Sequence, residues 1–232
     1  MSLDAVNNNT SHEETNGFHP CGVIKGGAVF ENWREFPPSY ISHHGSVCCE
    51  MAREWIYAMD HTQLNGGSPF TGPRWLRQRY NWGPTVYPVY WCEAIEEKSL
   101  DCGALAALSR EVFKSRNVRA FPAQLVQKFT TDATAQWQRK WSEKEASTHW
   151  INEDVIYHEG CAILTVENEI KVWDSSAGWW VRPIPQNGYG SLLALRICTD
   201  DRNNISLFQW GDHKIVPNRW QKFEMPQLAA AA

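Results

Sequence analysis

An α+β domain, with one helix packed on an antiparallel sheet, is what the order of patterned segments predicts for this chain. Helical periodicity is concentrated in the first half, strand candidates follow one another in the second, and Glu167-Asn168 between two of them reads as a hairpin turn. With 232 residues, 43% of them apolar and 21% charged, the chain is long enough for one domain with a sizeable core.

Taken in order, residues 1–17 are rich in Asn, Ser, Thr and Glu, cannot offset the entropy of ordering, and predict a loose tail. Ser46 to Asp60 sets Val47, Met51, Trp55 and Met59 four apart, one stripe of a helix. Asn65-Gly66-Gly67, Pro69, Gly72 and Pro73 mark a loop. Residues 73–91 interleave Arg74, Arg77 and Arg79 with Trp75, Tyr80, Trp82, Tyr87, Tyr90 and Trp91, a mixture suited to a groove wall or a partly buried patch.

Residues 102–115 are the clearest helix: Leu105, Leu108 and Val112 share a face, Lys114 and Arg116 suit the C-terminal dipole, and Ser99 or Asp101 can cap the start. Arg119 to Phe129 is strand-like. The polar, Trp-bearing segment Thr131 to Ala146 predicts a helical insertion within 131–150, and strands are expected at 155–166, 169–174, 191–198 and 204–210. The domain is expected to run from 18 to 227, with 228–232 reading as an expression scar.

Lys and Arg number 22 against 26 Asp and Glu, a formal net charge of −4, so no basic stripe for nucleic acid is expected. No apolar run approaches the roughly 18 residues of a membrane helix, and the N-terminus lacks a secretory h-region; no membrane partner and a cytoplasmic setting are the expectation. The seven cysteines (Cys21, Cys48, Cys49, Cys92, Cys102, Cys161 and Cys198) are odd in number and scattered, which argues against a disulfide framework. Without a CxxC or a second Cys or His at zinc-finger spacing, no metal site is expected.

Three segments carry chemistry together. Cys102 opens a helix, where unpaired backbone N–H groups and the dipole favour thiolate, and Gly103 beside it leaves room for a carbonyl to approach. His158 opens an apolar strand and can take the thiol proton and return it to a leaving group. Asp174 ends the next strand, from where it can fix the imidazole tautomer. If Glu167-Asn168 is a two-residue turn, Cys161 falls opposite Asp174, and His158 is offset by three residues, roughly 10 Å along the strand.

In that order, the Asp-Cys-Gly-Ala context of Cys102, the hydrophobic strand headed by His158 and the Val-Trp-Asp-Ser context of Asp174 resemble the transglutaminase-like branch of the papain-like fold. The His-to-Asp stretch is also similar to the hairpin of arylamine N-acetyltransferases. The resemblance spans roughly residues 85–180. It implies a papain-like core, Cys102 as nucleophile, His158 as general base and acid, and Asp174 as its orienting partner. The family supplies a second oxyanion donor from upstream; the Trp91 indole is the candidate here, beside the backbone N–H of Cys102. The carboxylate of Asp101 opposes thiolate formation unless it caps the helix.

The expected reaction is acyl transfer through a Cys102-linked acyl-enzyme, from a small-molecule or peptide thioester or amide donor, with an acyl-carrier protein as a candidate carrier of the donor, to an amine. No metal or organic cofactor is needed. Arg74, Arg77 and Arg79 can meet a phosphate or carboxylate. Two other readings stand beside it: a cysteine peptidase or amidase in which water deacylates the same intermediate, and an inactive papain-like binding module. His149 competes with His158 but precedes Asn-Glu-Asp rather than an apolar run, Cys161 reads as core, and His43, His44 and His61 read as surface or capping residues.

Overall fold

In a computed structural model, residues 38–142, 155–167, 170–181, 191–198 and 205–209 are described. The expected tail, the 228–232 run, His149 and much of the 131–150 insertion lie outside them. The helical half comes first: α1 (Val47–Leu64), α2 (Arg74–Arg79), the short strand β1 (Asn81–Trp82), α3 (Trp91–Ala94), β2 (Ser99–Leu100) and α4 (Cys102–Ser115). Then come β3 (Ala120–Lys128), α5 (Thr131–Ser142), β4 (Val155–Leu164), β5 (Ile170–Asp174), β6 (Trp179–Trp180), β7 (Ser191–Ile197) and β8 (Ile205–Gln209).

β3 to β8 form one six-stranded sheet in the order β6-β5-β4-β3-β7-β8, with every neighbouring pair antiparallel. The α+β expectation therefore holds at this level, and α4 packs on β3, β4 and β5 as expected. Phe113 of α4 meets Val118, Ala120, Cys161, Ile163 and Trp173, while Phe121, Ala123, Leu125, Ala162, Val172 and Leu195 pack together on the opposite face. This two-sided burial follows from strands whose residues are apolar at both parities. Among the described residues, no helix is long and apolar enough to cross a membrane.

Helix α1 corrects the expected stripe. Val47 is 69% exposed, Met51 67% and Trp55 37%, whereas Cys49, Ala52, Ile56 and Asp60 are buried. Both sets recur at helical spacing; the inward set wins because Cys49, Ala52 and Ile56 join the core with Trp75, Leu76, Leu105 and Leu108, and Asp60 meets buried polar partners. Met59 alone of the expected stripe packs against that core. The helix also runs one turn past Asp60, to a left-handed Asn65 at φ 43°.

The β4–β5 hairpin corrects the expected register. Cys161 lies opposite Trp173, and the ladder closes at Leu164 and Ile170, so the connection is longer than the two-residue turn of Glu167-Asn168. A one-residue slip in an antiparallel pair turns every side chain to the other face. Continued by one step, the observed register sets Asp174 across from Gly160, on the same face as His158 and diagonal to it, a separation that long side chains bridge.

Candidate active site

Asp101 ends β2's approach to α4 with extended backbone, and its Oδ1 accepts the Ala104 N–H at 2.8 Å, so it, and not Ser99, is the N-cap. The cap is itself held: the Asp101 N–H donates to Thr85 Oγ1 at 2.7 Å and the Tyr87 hydroxyl donates to Asp101 Oδ1 at 2.7 Å. Segment 83–90 thus lies over the start of α4. Cys102 follows in the first turn, 1% exposed, and its Sγ accepts the backbone N–H of Glu159, one position beyond His158.

His158 and Asp174 are in direct contact, with Nε2 2.8 Å from Oδ2 and both side chains buried. Asp174 is fixed by its own turn. Its Oδ1 accepts the N–H groups of Ser176 at 2.9 Å and Ala177 at 3.1 Å, and its carbonyl accepts the Gly178 N–H at 2.8 Å. Gly178 has φ +76°, a conformation that glycine adopts without strain, and Arg77 packs where a Cβ would stand. The Ser109 hydroxyl of α4 meets that of Ser175, which ties the cysteine helix to the end of β5.

His158 and Asp174 line a cleft of about 210 Å³ with Trp82, Phe129, Trp137 and Trp179. Trp137 stands edge-on to Trp82 at 5.2 Å and to Phe129 at 4.8 Å, so helix α5 closes one wall. Of the three expected arginines, Arg77 alone lines this cleft. Arg74 lies in a separate depression beside Trp173 and Trp180, and Arg79 stacks over Trp55 and Tyr80 and donates to the Ile95 carbonyl. Trp91 is buried in the helical core with Leu76, Tyr80 and Leu100, and Gly103 is buried in the first turn of α4; neither lines the cleft. Cys102 does not line it either.

The electrostatics overturn one expectation. Burial pushes the Cys102 thiol well above its ordinary range, the charges of Asp101 and Glu159 add to this, and the more weakly felt Asp174 acts the same way against the opposing Glu159 amide. Capping by Asp101 does not remove its effect, so the net push on this sulfur is away from thiolate despite the helix N-terminus.

Glu159 was missed by sequence reasoning. It alternates with His158, so it points to the α4 face. There its Oε2 accepts the Ser39 N–H at 3.0 Å, and its Oε1 accepts the hydroxyls of Ser39 at 2.8 Å and Tyr157 at 3.0 Å. Arg110 of α4 donates to the Ser39 carbonyl at 3.1 Å, and Gln124 donates to the Tyr157 hydroxyl at 2.7 Å. A His-Glu pair inside an otherwise apolar strand was the available signal, since both faces of such a strand are buried and each polar group then requires partners.

Comparison with known proteins finds no matching family model, no similar curated protein and no similar solved structure.

Burial raises the Glu159 carboxyl above the usual carboxylate range despite its three donors. Ionising this group therefore costs more in the folded chain than in the unfolded one, and its contribution to stability is lost as pH rises from the ordinary carboxylate value through the folded one. Glu159→Gln removes that dependence and one of the charges facing the thiol. The pH at which Cys102 alkylates at half its limiting rate is expected to fall in this variant, measured with iodoacetamide and peptide mapping; an unchanged profile would show that Glu159 does not act on the sulfur.

Proposed function

We propose that this protein is a cysteine acyltransferase in which Cys102 Sγ attacks the carbonyl carbon of a thioester or amide, with the thiol proton passing to His158. The observation that carries this reading is the buried His158–Asp174 pair on an aromatic cleft, with the next residue's amide donated to the Cys102 sulfur. Nε2 is committed to Asp174, which leaves Nδ1 as the proton acceptor. The S–C bond forms, the carbonyl π pair moves to oxygen, and collapse expels the leaving group, which takes the proton from His158. An amine then attacks the acyl-enzyme, His158 receives its proton, and the sulfur leaves and is reprotonated. Asp174 stabilises the imidazolium at both stages.

Because the surroundings of the sulfur disfavour thiolate, attack calls for general-base help. Segment 83–90, held by Thr85 and Tyr87 on Asp101, borders the helix start that carries the sulfur. The cleft walls suit a small, flat apolar group, and Arg77 suits a carboxylate or phosphate on the donor. The test is turnover of an aryl thioester with and without an aromatic amine. Amide product and amine-stimulated thiol release are expected; hydrolysis indifferent to amine would replace transfer with the amidase reading.

A second reading has its own support. The burial of Cys102 among carboxylates favours a papain-like module that binds in the aromatic cleft without acylation. In that case, the aryl thioester is bound but no thiol is released.

A further inference from the structure

Outside the candidate active site, the fold assembles a cluster that no motif spacing foretold. His44 in the segment before α1, Cys48 and Cys49 in the first turn of α1, and Cys92 in α3 bring one ligand atom each to within 4.8 Å of one another. His44 Nε2 is 3.2 Å from Cys92 Sγ and 3.4 Å from Cys49 Sγ, and the Cys49 and Cys92 sulfurs are 3.7 Å apart.

We propose that His44 Nε2 and the sulfurs of Cys48, Cys49 and Cys92 bind one zinc ion in a closed, four-ligand Cys₃His site. With Zn–S near 2.3 Å and Zn–N near 2.0–2.1 Å, tetrahedral geometry sets sulfurs about 3.8 Å apart and nitrogen about 3.5 Å from sulfur. The three separations among His44, Cys49 and Cys92 approach these values, and Cys48 Sγ lies within 4.8 Å of the other three ligand atoms. A disulfide needs about 2.05 Å between sulfurs, and the Cys49–Cys92 gap far exceeds it. Thiolates and an imidazole are the soft and borderline donors that zinc takes, and four protein ligands leave no open position, which makes the role structural.

The surroundings orient the ligands. Gly45, at φ +72°, turns the chain between His44 and the Ser46 cap of α1, and open space lies where its Cβ would be. The Tyr90 ring packs against His44 with centroids 4.8 Å apart. Backbone bonds from Ser42 N–H to Val89 O at 2.7 Å and from Trp91 N–H to Ser42 O at 3.1 Å clamp the His44 segment beside Cys92. Binding releases three thiol protons to solvent and ties residues 42–49 to α3. Upstream in the same segment, Ser39 bonds Glu159, so the metal would anchor the stretch of chain that holds this carboxylate.

The test is metal analysis of the reduced full-length chain after zinc loading and removal of loose metal. One zinc per chain is expected. Cys92→Ser and His44→Ala should weaken retention by more than the roughly 10–100-fold typical of an outer-shell change. Cys102→Ser should keep the zinc, which separates this site from the acyl-transfer reading. Cobalt replacement in the unaltered chain covers variants that fail to fold: thiolate-to-metal charge transfer and intense tetrahedral visible bands are expected. Zinc-free protein after loading, zinc held equally by Cys92→Ser, a Cys49–Cys92 disulfide, or cobalt without a thiolate band would each overturn the proposal.

Discussion

His158→Ala is expected to slow acylation of Cys102 by about 10²–10⁴-fold, the range a positioned general acid–base group supplies. The disfavoured thiolate sets this size. Burial and the charges of Asp101 and Glu159 disfavour the thiolate, so without His158 the proton leaves only to solvent hydroxide. The residual rate of the variant should therefore keep climbing with pH, where the unaltered chain levels off. Asp174→Asn leaves the ring in place and removes the charge that favours imidazolium, so it should slow the same step by less than His158→Ala. Single-turnover thiol release from an aryl thioester reads all three. Equal rates in the unaltered chain and His158→Ala would remove the histidine from the reaction.

Asp60→Ala is expected to cost about 3–5 kcal/mol of stability, because it strands a buried cation. Asp60 is 2% exposed; it accepts the Trp75 indole N–H at 2.8 Å and the Arg116 Nε–H at 2.7 Å, with a second contact from the same guanidinium. One carboxylate thus joins α1, α2 and the end of α4. Arg116 also donates to the carbonyls of Pro69 and Thr71, so it cannot swing to water without releasing that loop. The midpoint of urea unfolding should fall with the slope unchanged. A loss below about 1 kcal/mol would place this triad among exposed pairs of little worth.

How much of this was legible depends on the range of each interaction. Helix α4 was read to the residue because its signals are local: an Asp cap, an apolar face at helical spacing and cations at its end. Strands β3, β4, β5, β7 and β8 were legible within a residue or two for the same reason, while the two-residue strands β1, β2 and β6 were not expected. The β4–β5 register was not, since it depends on the length of the connection rather than on the pattern of either strand, and one residue decided whether Asp174 shares a face with His158. The buried side of α1 depended on a choice between two stripes, made by Asp60 finding Trp75 and Arg116. Glu159 draws on Ser39, 120 residues away. The Cys₃His cluster joins the stretch 44–49 to Cys92, brought beside it at the Ser42–Tyr90 bridge. In both cases the deciding partner is remote in sequence.

The state of Cys102 was half legible. Its place at a helix start suggested an ionised sulfur, but burial and the carboxylates gathered by folding reverse the sign. The aromatic cleft was foreshadowed by the mixed composition of 73–91, although most of that segment's rings serve the core, and Trp137 reaches the cleft from helix α5.

The most direct test of Cys102 as the nucleophile is peptide mapping after brief exposure to an aryl thioester. Mapping is needed because Cys48 is exposed and Cys102 is not, so a mass increase of the whole chain does not say which sulfur reacted. The account predicts an acyl group on the peptide bearing Cys102, lost in Cys102→Ser and discharged by an aromatic amine. Acylation confined to Cys48 or the other cysteines, with the Cys102 peptide unmodified, would contradict it.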